Sequence, residues 1–144
     1  MIAVDSNILV YAQREDSHFN TKAKAAVTDL AEGNRPWAIP WPCIHEFLTI
    51  VTHPRIYTPP TSLENALLQV ECWIESPGLE LIGESGDYWP VLKGILSKGK
   101  ITGPRIHDAK IMAVCLQNGV KTLWSADRDF SRVEGLEIRN PLIG

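Results

Sequence analysis

The chain has 144 residues, 44% of them hydrophobic, enough for one ordinary domain whose core needs neither a metal nor a disulfide to form. Fourteen Lys and Arg against seventeen Asp and Glu leave a net charge of −3, which excludes a broadly basic nucleic-acid surface but not a local basic rim. The three cysteines, Cys43, Cys72 and Cys115, form no C-x-x-C pair, which argues against a zinc knuckle or disulfide framework and suits a reducing compartment.

In chain order, MIAV reads as a short buried strand that meets Asp5 at once. No basic leader precedes it, and no stretch approaches the roughly 18 apolar residues of a membrane span, so a cytoplasmic protein without membrane contact is expected. Asp5, Ser6 and Asn7 are residue types that end strands and start helices. The alanine-rich segment from Asn20 to Glu32 is a helix stopped by Gly33-Asn34, and WAIP (37–40) is a second strand. Pro42 opens a helix running to about Thr52, with Pro54 marking its end. TSLE (61–64) fits a capping box before the apolar run ALLQVECWI, which Pro77-Gly78 ends. LELI (79–82) is a third strand, and GDYWPVLKGILSKG and GPRIHDAKIMAVCLQNGV are two helices, the second stopped by Gly119. KTLW (121–124) and LEIR (136–139) complete the set as strands four and five. Short strands separated by helices imply an α/β three-layer sandwich, a parallel sheet with helices on both faces.

Ligands of such sheets bind beyond the strand carboxyl ends, where Asp5, Asp127 and Asp129 follow strands one and four. Asp108 falls in the first turn of the penultimate major helix, and Glu46 in the first half of the helix after strand two. Each aspartate has an ordinary reading as cap, helix-start charge or turn former. Glu46 is harder to explain that way: on the apolar CIHEFLTIV, its helical neighbours Pro42, Cys43, Thr49 and Ile50 offer no compensating charge. If these acids converge, like charges about 4 Å apart repel by roughly 4 kcal/mol at an effective dielectric of 20. Either some stay protonated or a divalent cation neutralises them, and carboxylate oxygens select Mg²⁺ or Mn²⁺ over zinc.

DSNILVYA from Asp5, the lone Glu46 in CIHEFLTIV, GPRIHDAKIMAVCL around Asp108 and WSADRDF with Asp127 and Asp129 together span most of the chain. In order and spacing they resemble the PIN-domain ribonucleases, and within them the VapC toxins of VapBC toxin-antitoxin modules. The resemblance implies one PIN-like domain over residues 1–144, strand order 3-2-1-4-5, and a Mg²⁺-dependent endoribonuclease. It matches Asp5, Glu46 and Asp108 to the family's most characteristic acids and Asp127 to a fourth, with Asp129 able to support or replace it. Asn7 and Ser125 stand where polar side chains orient the acids. A homodimer inhibited by a VapB-like antitoxin is also implied. Competing readings are a non-catalytic PIN-like interaction module, a Mg²⁺-dependent phosphatase and a DNA nuclease on a similar scaffold. Asp5-Ser6-Asn7 lacks the second Asp of the D-x-D phosphatases, and the interaction modules have lost acids that are all present here.

For an RNA substrate, Lys98, Lys100, Arg105 and His107 before Asp108, with Arg128 and Arg132 around the other acidic loop, form the expected phosphate-gripping rim. The alternative for these is an ordinary solvated charge run. His45 and His107 adjoin two acids and are expected to be structural or substrate-contacting rather than ligands. Of the five tryptophans, core packing is expected for most, Trp73 and Trp124 above all, with stacking on bases as the other use.

Overall fold

In the structure, a computed structural model describing residues 1–143, β1 (Ile2–Val4) passes through Asp5 directly into α1 (Ser6–Gln13). The turn is tight because Asp5 keeps an extended backbone while its carboxylate accepts the Ser6 N–H at 2.8 Å, capping the helix. Then come α2 (Asn20–Glu32), β2 (Trp37–Pro40) and α3 (Trp41–Val51), whose first turn holds Pro42. α4 (Leu63–Ile74) leads to β3 (Leu79–Ile82) and α5 (Tyr88–Gly99). A 3-10 turn, Gly103–Arg105, opens α6 (Ile106–Gln117). Gly119, at φ +75, turns the chain into β4 (Thr122–Trp124), and β5 (Glu137–Arg139) closes the sheet.

The sheet order is β3-β2-β1-β4-β5 and every neighbouring pair is parallel. Ala3 pairs with both Ala38 and Leu123, and Val4 with Trp124, so the residues leaving β1, β2 and β4 emerge at one edge. Successive strand residues point to opposite faces, yet Ala3 and Val4, and all of Trp37 to Pro40, are buried. Both faces of the central strands are therefore covered. α1 packs on α2 and α3, and α3 on α4, while α5 packs on α6. Phe47 of α3 meets Trp73 of α4 edge-on at 4.9 Å, and the Trp37 indole donates to Ser76 Oγ at 3.1 Å. Trp37 and Trp73 are core residues and Trp124 is half-buried against the core, whereas Trp41 and Trp89, in the first turns of their helices, are exposed.

The cap of α4 departs from the expected box. Ser62, not Thr61, caps the helix, its hydroxyl accepting the Asn65 N–H at 3.1 Å. Thr61 is drawn inward instead, accepting from Arg14 at 3.2 Å and donating to Gln13 at 3.2 Å. The Arg14 guanidinium also donates to the Pro59 carbonyl at 3.0 Å, pairs with Asp16 at 2.6 Å and stacks over Tyr57 at 4.3 Å. A nearly buried guanidinium needs acceptors on all sides, and that demand outranks the local capping pattern. Ser62→Ala should lower stability by about 1 kcal/mol in chemical denaturation. An unmoved midpoint would show that this hydroxyl does not cap the helix.

Candidate active site

Asp5 is the fixed point of the sheet edge. Its Oδ2 accepts the Ser125 hydroxyl at 2.7 Å and lies 3.4 Å from Asn7 Nδ2, while its Oδ1 accepts the Ser6 N–H and lies 3.5 Å from Cys43 Sγ. Asn7 also donates to Ser125 Oγ at 3.1 Å and accepts the Ala126 N–H at 3.1 Å, tying α1 to the loop after β4. Ser125 Oγ in turn accepts the Asp127 N–H at 3.0 Å. Asp5, Asn7, Ser125 and Asp127, two segments more than a hundred residues apart, thus share one hydrogen-bonded network. Burial pushes the Asp5 carboxyl above its ordinary pKa, against the opposing effect of these donors.

Glu46 reaches the same edge from α3, where its carboxylate accepts the Ser6 hydroxyl. Glu46 finds its partner outside its own helix, in a neutral hydroxyl. Asp108 stands in the first turn of α6, and its pKa is raised from 3.8 to about 6. Partial burial is the main cause, followed by the charges of Asp127, Asp5, Glu46 and Asp129 in that order. Asp127 is half-buried, its backbone N–H held by Ser125, while Asp129 is exposed and donates its N–H to Asp127 Oδ1 at 2.8 Å. The structure therefore gathers the four acids and separates the two loop aspartates, with Asp127 the nearer influence on Asp108.

Among the described residues the one ion pair is Arg14–Asp16, so no lysine or arginine neutralises the cluster. Nor do any three of the described His, Cys, Asp or Glu side chains form a ready-made metal cage. The donor chemistry still fits a hard dication, because Mg²⁺ retains several waters and takes only one or two protein carboxylates. Zinc, by contrast, favours His and Cys donors, and no grouping of these with the acids forms a site among the described residues. The buried thiols are unsuited to be nucleophiles: burial pushes Cys115 up to about 12 and Cys43 well above its usual range.

Ser6 and Cys43 were not singled out from the sequence. Ser6 adjoins Asp5, and Cys43 lies three positions before Glu46 on the same helix, the only signals that point to them. The expected basic rim divides. Arg105 donates to Ser131 Oγ, tethering the turn before α6 to the acidic loop. His107 lines a cleft with Pro42, His45, Glu46, Thr49, Lys110 and Ile111. Arg128 is exposed between Asp127 and Asp129. Lys100 caps α5 with a positive φ, and Lys98 lines a different cleft with Arg132, Val133 and Glu134, to which none of the clustered acids contributes. Lys98 is on α5, whereas the acids are on α3, α6 and the β1 and β4 ends.

Comparison with known proteins agrees with the fold. The PIN domain family profile matches residues 2–136. Ribonuclease VapC48 of Mycobacterium tuberculosis is 34% identical over 140 residues, 97% of each chain, and ribonuclease VapC43 of the same organism is 32% identical over 144 residues, 100% of this chain and 97% of the other. Among solved structures, M. tuberculosis VapC20, titled a sarcin-ricin loop cleaving toxin, superposes with a TM-score of 0.68 at 17% identity, covering 96% of this chain and 99% of that one. VapBC2 from Rickettsia felis, bound to a promoter DNA fragment, gives 0.66 at 22% identity, covering 97% and 98%. The chain belongs to the PIN-domain family, among its VapC members.

Asp108 has a direct consequence for stability. Folded, it takes its proton near pH 6 and unfolded near 3.8, so between those values the folded chain binds the extra proton. Its contribution favours folding at the acid end and is lost as pH rises through 6. Without divalent ions, Asp108→Asn should therefore melt at a higher temperature than the parent at about pH 7.5, and the difference should shrink toward pH 4. Equal melting curves across this range would mean that neither burial nor the neighbouring charges raise the Asp108 carboxyl.

Proposed function

We propose that this protein is a Mg²⁺-dependent endoribonuclease, with Mn²⁺ able to substitute, acting in the cytoplasm as the toxin of a type II toxin-antitoxin module. The observation that carries the reading is the cluster of Asp5, Glu46, Asp108 and Asp127 around a raised Asp108 with no cationic partner. The names of its relatives, ribonucleases, support RNA as substrate, and the toxin-antitoxin complexes among its structural neighbours support a VapB-like antitoxin as partner. A homodimer is part of the same proposal.

Asp5 and Asp108 would hold the metal, with Glu46 and Asp127 beside them and Asp129 in support. When bound, the dication offsets the carboxylate charge and lowers the pKa of a coordinated water toward neutrality. Within the protein, the Asn7–Ser125 network fixes the Asp5 carboxylate and Ser6 fixes Glu46. Glu46 and Asp127, whose charges both act on Asp108, would accept the proton of the attacking water. As its oxygen bonds to phosphorus, its proton would pass to one of these carboxylates, the opposite P–O bond would break, and the departing oxygen would take up a proton from solvent. Arg105 holds the acidic loop in register with α6 through Ser131.

Purified protein incubated with RNA, single-stranded DNA and a phosphomonoester should cleave RNA alone, and only when Mg²⁺ or Mn²⁺ is supplied. Asn7→Ala should slow this cleavage roughly 10- to 100-fold, and Asp5→Asn or Asp108→Asn by more, each protein remaining folded by circular dichroism. Chelator-resistant cleavage, or undiminished cleavage by Asp108→Asn, would overturn the assignment.

A further inference from the structure

The clustered acids account for bond cleavage but leave unexplained how a polyanion approaches so negative a mouth. The cleft of about 320 Å³ beside Glu46 offers an answer. Its two walls follow from helical spacing. Pro42, His45, Glu46 and Thr49 lie at intervals of three and four on one face of α3, and His107, Lys110 and Ile111 do the same on α6. The opposite faces carry Ile44 and Phe47 of α3 and Ala109 and Met112 of α6 into the core, so the cleft is walled by two helices whose other faces are committed to packing. Glu46 belongs to the cleft and to the acidic cluster alike, which makes the two surfaces continuous.

The chemistry of the cleft suits a nucleotide. Lys110 is the one Lys or Arg that lines it, is half-buried, and forms no ion pair with Glu46. Two imidazoles, His45 and His107, stand on the facing walls, and the exposed Trp41 ring lies 6.1 Å from that of His45, tilted by 31°. One cation for a phosphate and flat rings for a base are what single-stranded RNA presents a need for.

We infer that this α3–α6 cleft seats the nucleotide next to the scissile phosphodiester, with Lys110 contacting its phosphate and His45 contacting its base, so that RNA runs between these helices rather than past Lys98. The inference rests on the ribonuclease reading above. Lys110 adds affinity for any sequence, whereas His45 sets sequence preference.

The test titrates a labelled single-stranded RNA into metal-free protein in EDTA across a series of salt concentrations, with KM under Mg²⁺ as the second readout. Lys110→Ala should weaken binding roughly tenfold and reduce the slope of log affinity against log salt by about 0.7, the share of one phosphate contact. Lys110→Arg should restore both, and Lys98→Ala should alter neither. In the presence of Mg²⁺, His45→Ala should redistribute cleavage among mapped sites, with KM for a single-site substrate rising more than kcat falls. Parent-like affinity, salt slope and KM in Lys110→Ala, or a larger effect of Lys98→Ala, would overturn the proposed path while leaving the ribonuclease reading intact. Parent protein that neither binds nor cleaves RNA would remove that reading itself.

Discussion

Like-charge repulsion at the carboxyl edge of the sheet is the constraint around which this molecule is organised. Burial and four neighbouring acids hold Asp108 near pH 6, and among the described residues no lysine or arginine forms an ion pair with any of the cluster. Neutral dipoles do the aligning instead: the hydroxyls of Ser6 and Ser125, the Asn7 amide and the backbone N–H groups of Ser6 and Asp129. This distinction matters physically. A lysine would also fix a carboxylate, but it would cancel the field that attracts a dication, whereas a hydroxyl positions the oxygen and leaves its charge available.

Repulsion of this kind needs a rigid frame to oppose it. The buried central strands, the Phe47–Trp73 contact and the Arg14 cluster hold α1, α3 and the segment around Pro59 and Thr61 together from behind. None of these contacts touches the acids, yet they fix the relative positions of the segments that carry them. A close-packed interior transmits such restraint because its side chains have no alternative arrangement of similar energy.

α3 shows how one short helix serves several ends. Phe47 and Val51 fill the core, Cys43 approaches Asp5, Glu46 bonds to Ser6, and His45 with Pro42 and Thr49 faces the open cleft. With about 100° between successive residues, neighbours in sequence are assigned to different surroundings. His45 and Glu46 adjoin in sequence, and the proposed recognition and the proposed chemistry are correspondingly adjacent in space.

Much of the fold was legible locally. Turn formers, prolines and apolar runs marked α2, β2 and β3 at their observed bounds, because these signals act within a few residues of chain. The spacing of Asp5, Glu46, Asp108 and Asp127, with the family resemblance, indicated which acids belong together. Tertiary structure alone decided that Glu46 is held by Ser6, forty positions away, that Asp127 is half-buried while Asp129 is exposed, that Arg14 claims Thr61 and leaves Ser62 to cap, and that Lys98 lines a cleft with Arg132 and Glu134. Those outcomes depend on the rotation of each helix and the register of each strand relative to distant segments. Local patterns set the elements, but only the packed chain brings a hydroxyl from one within reach of a carboxylate on another.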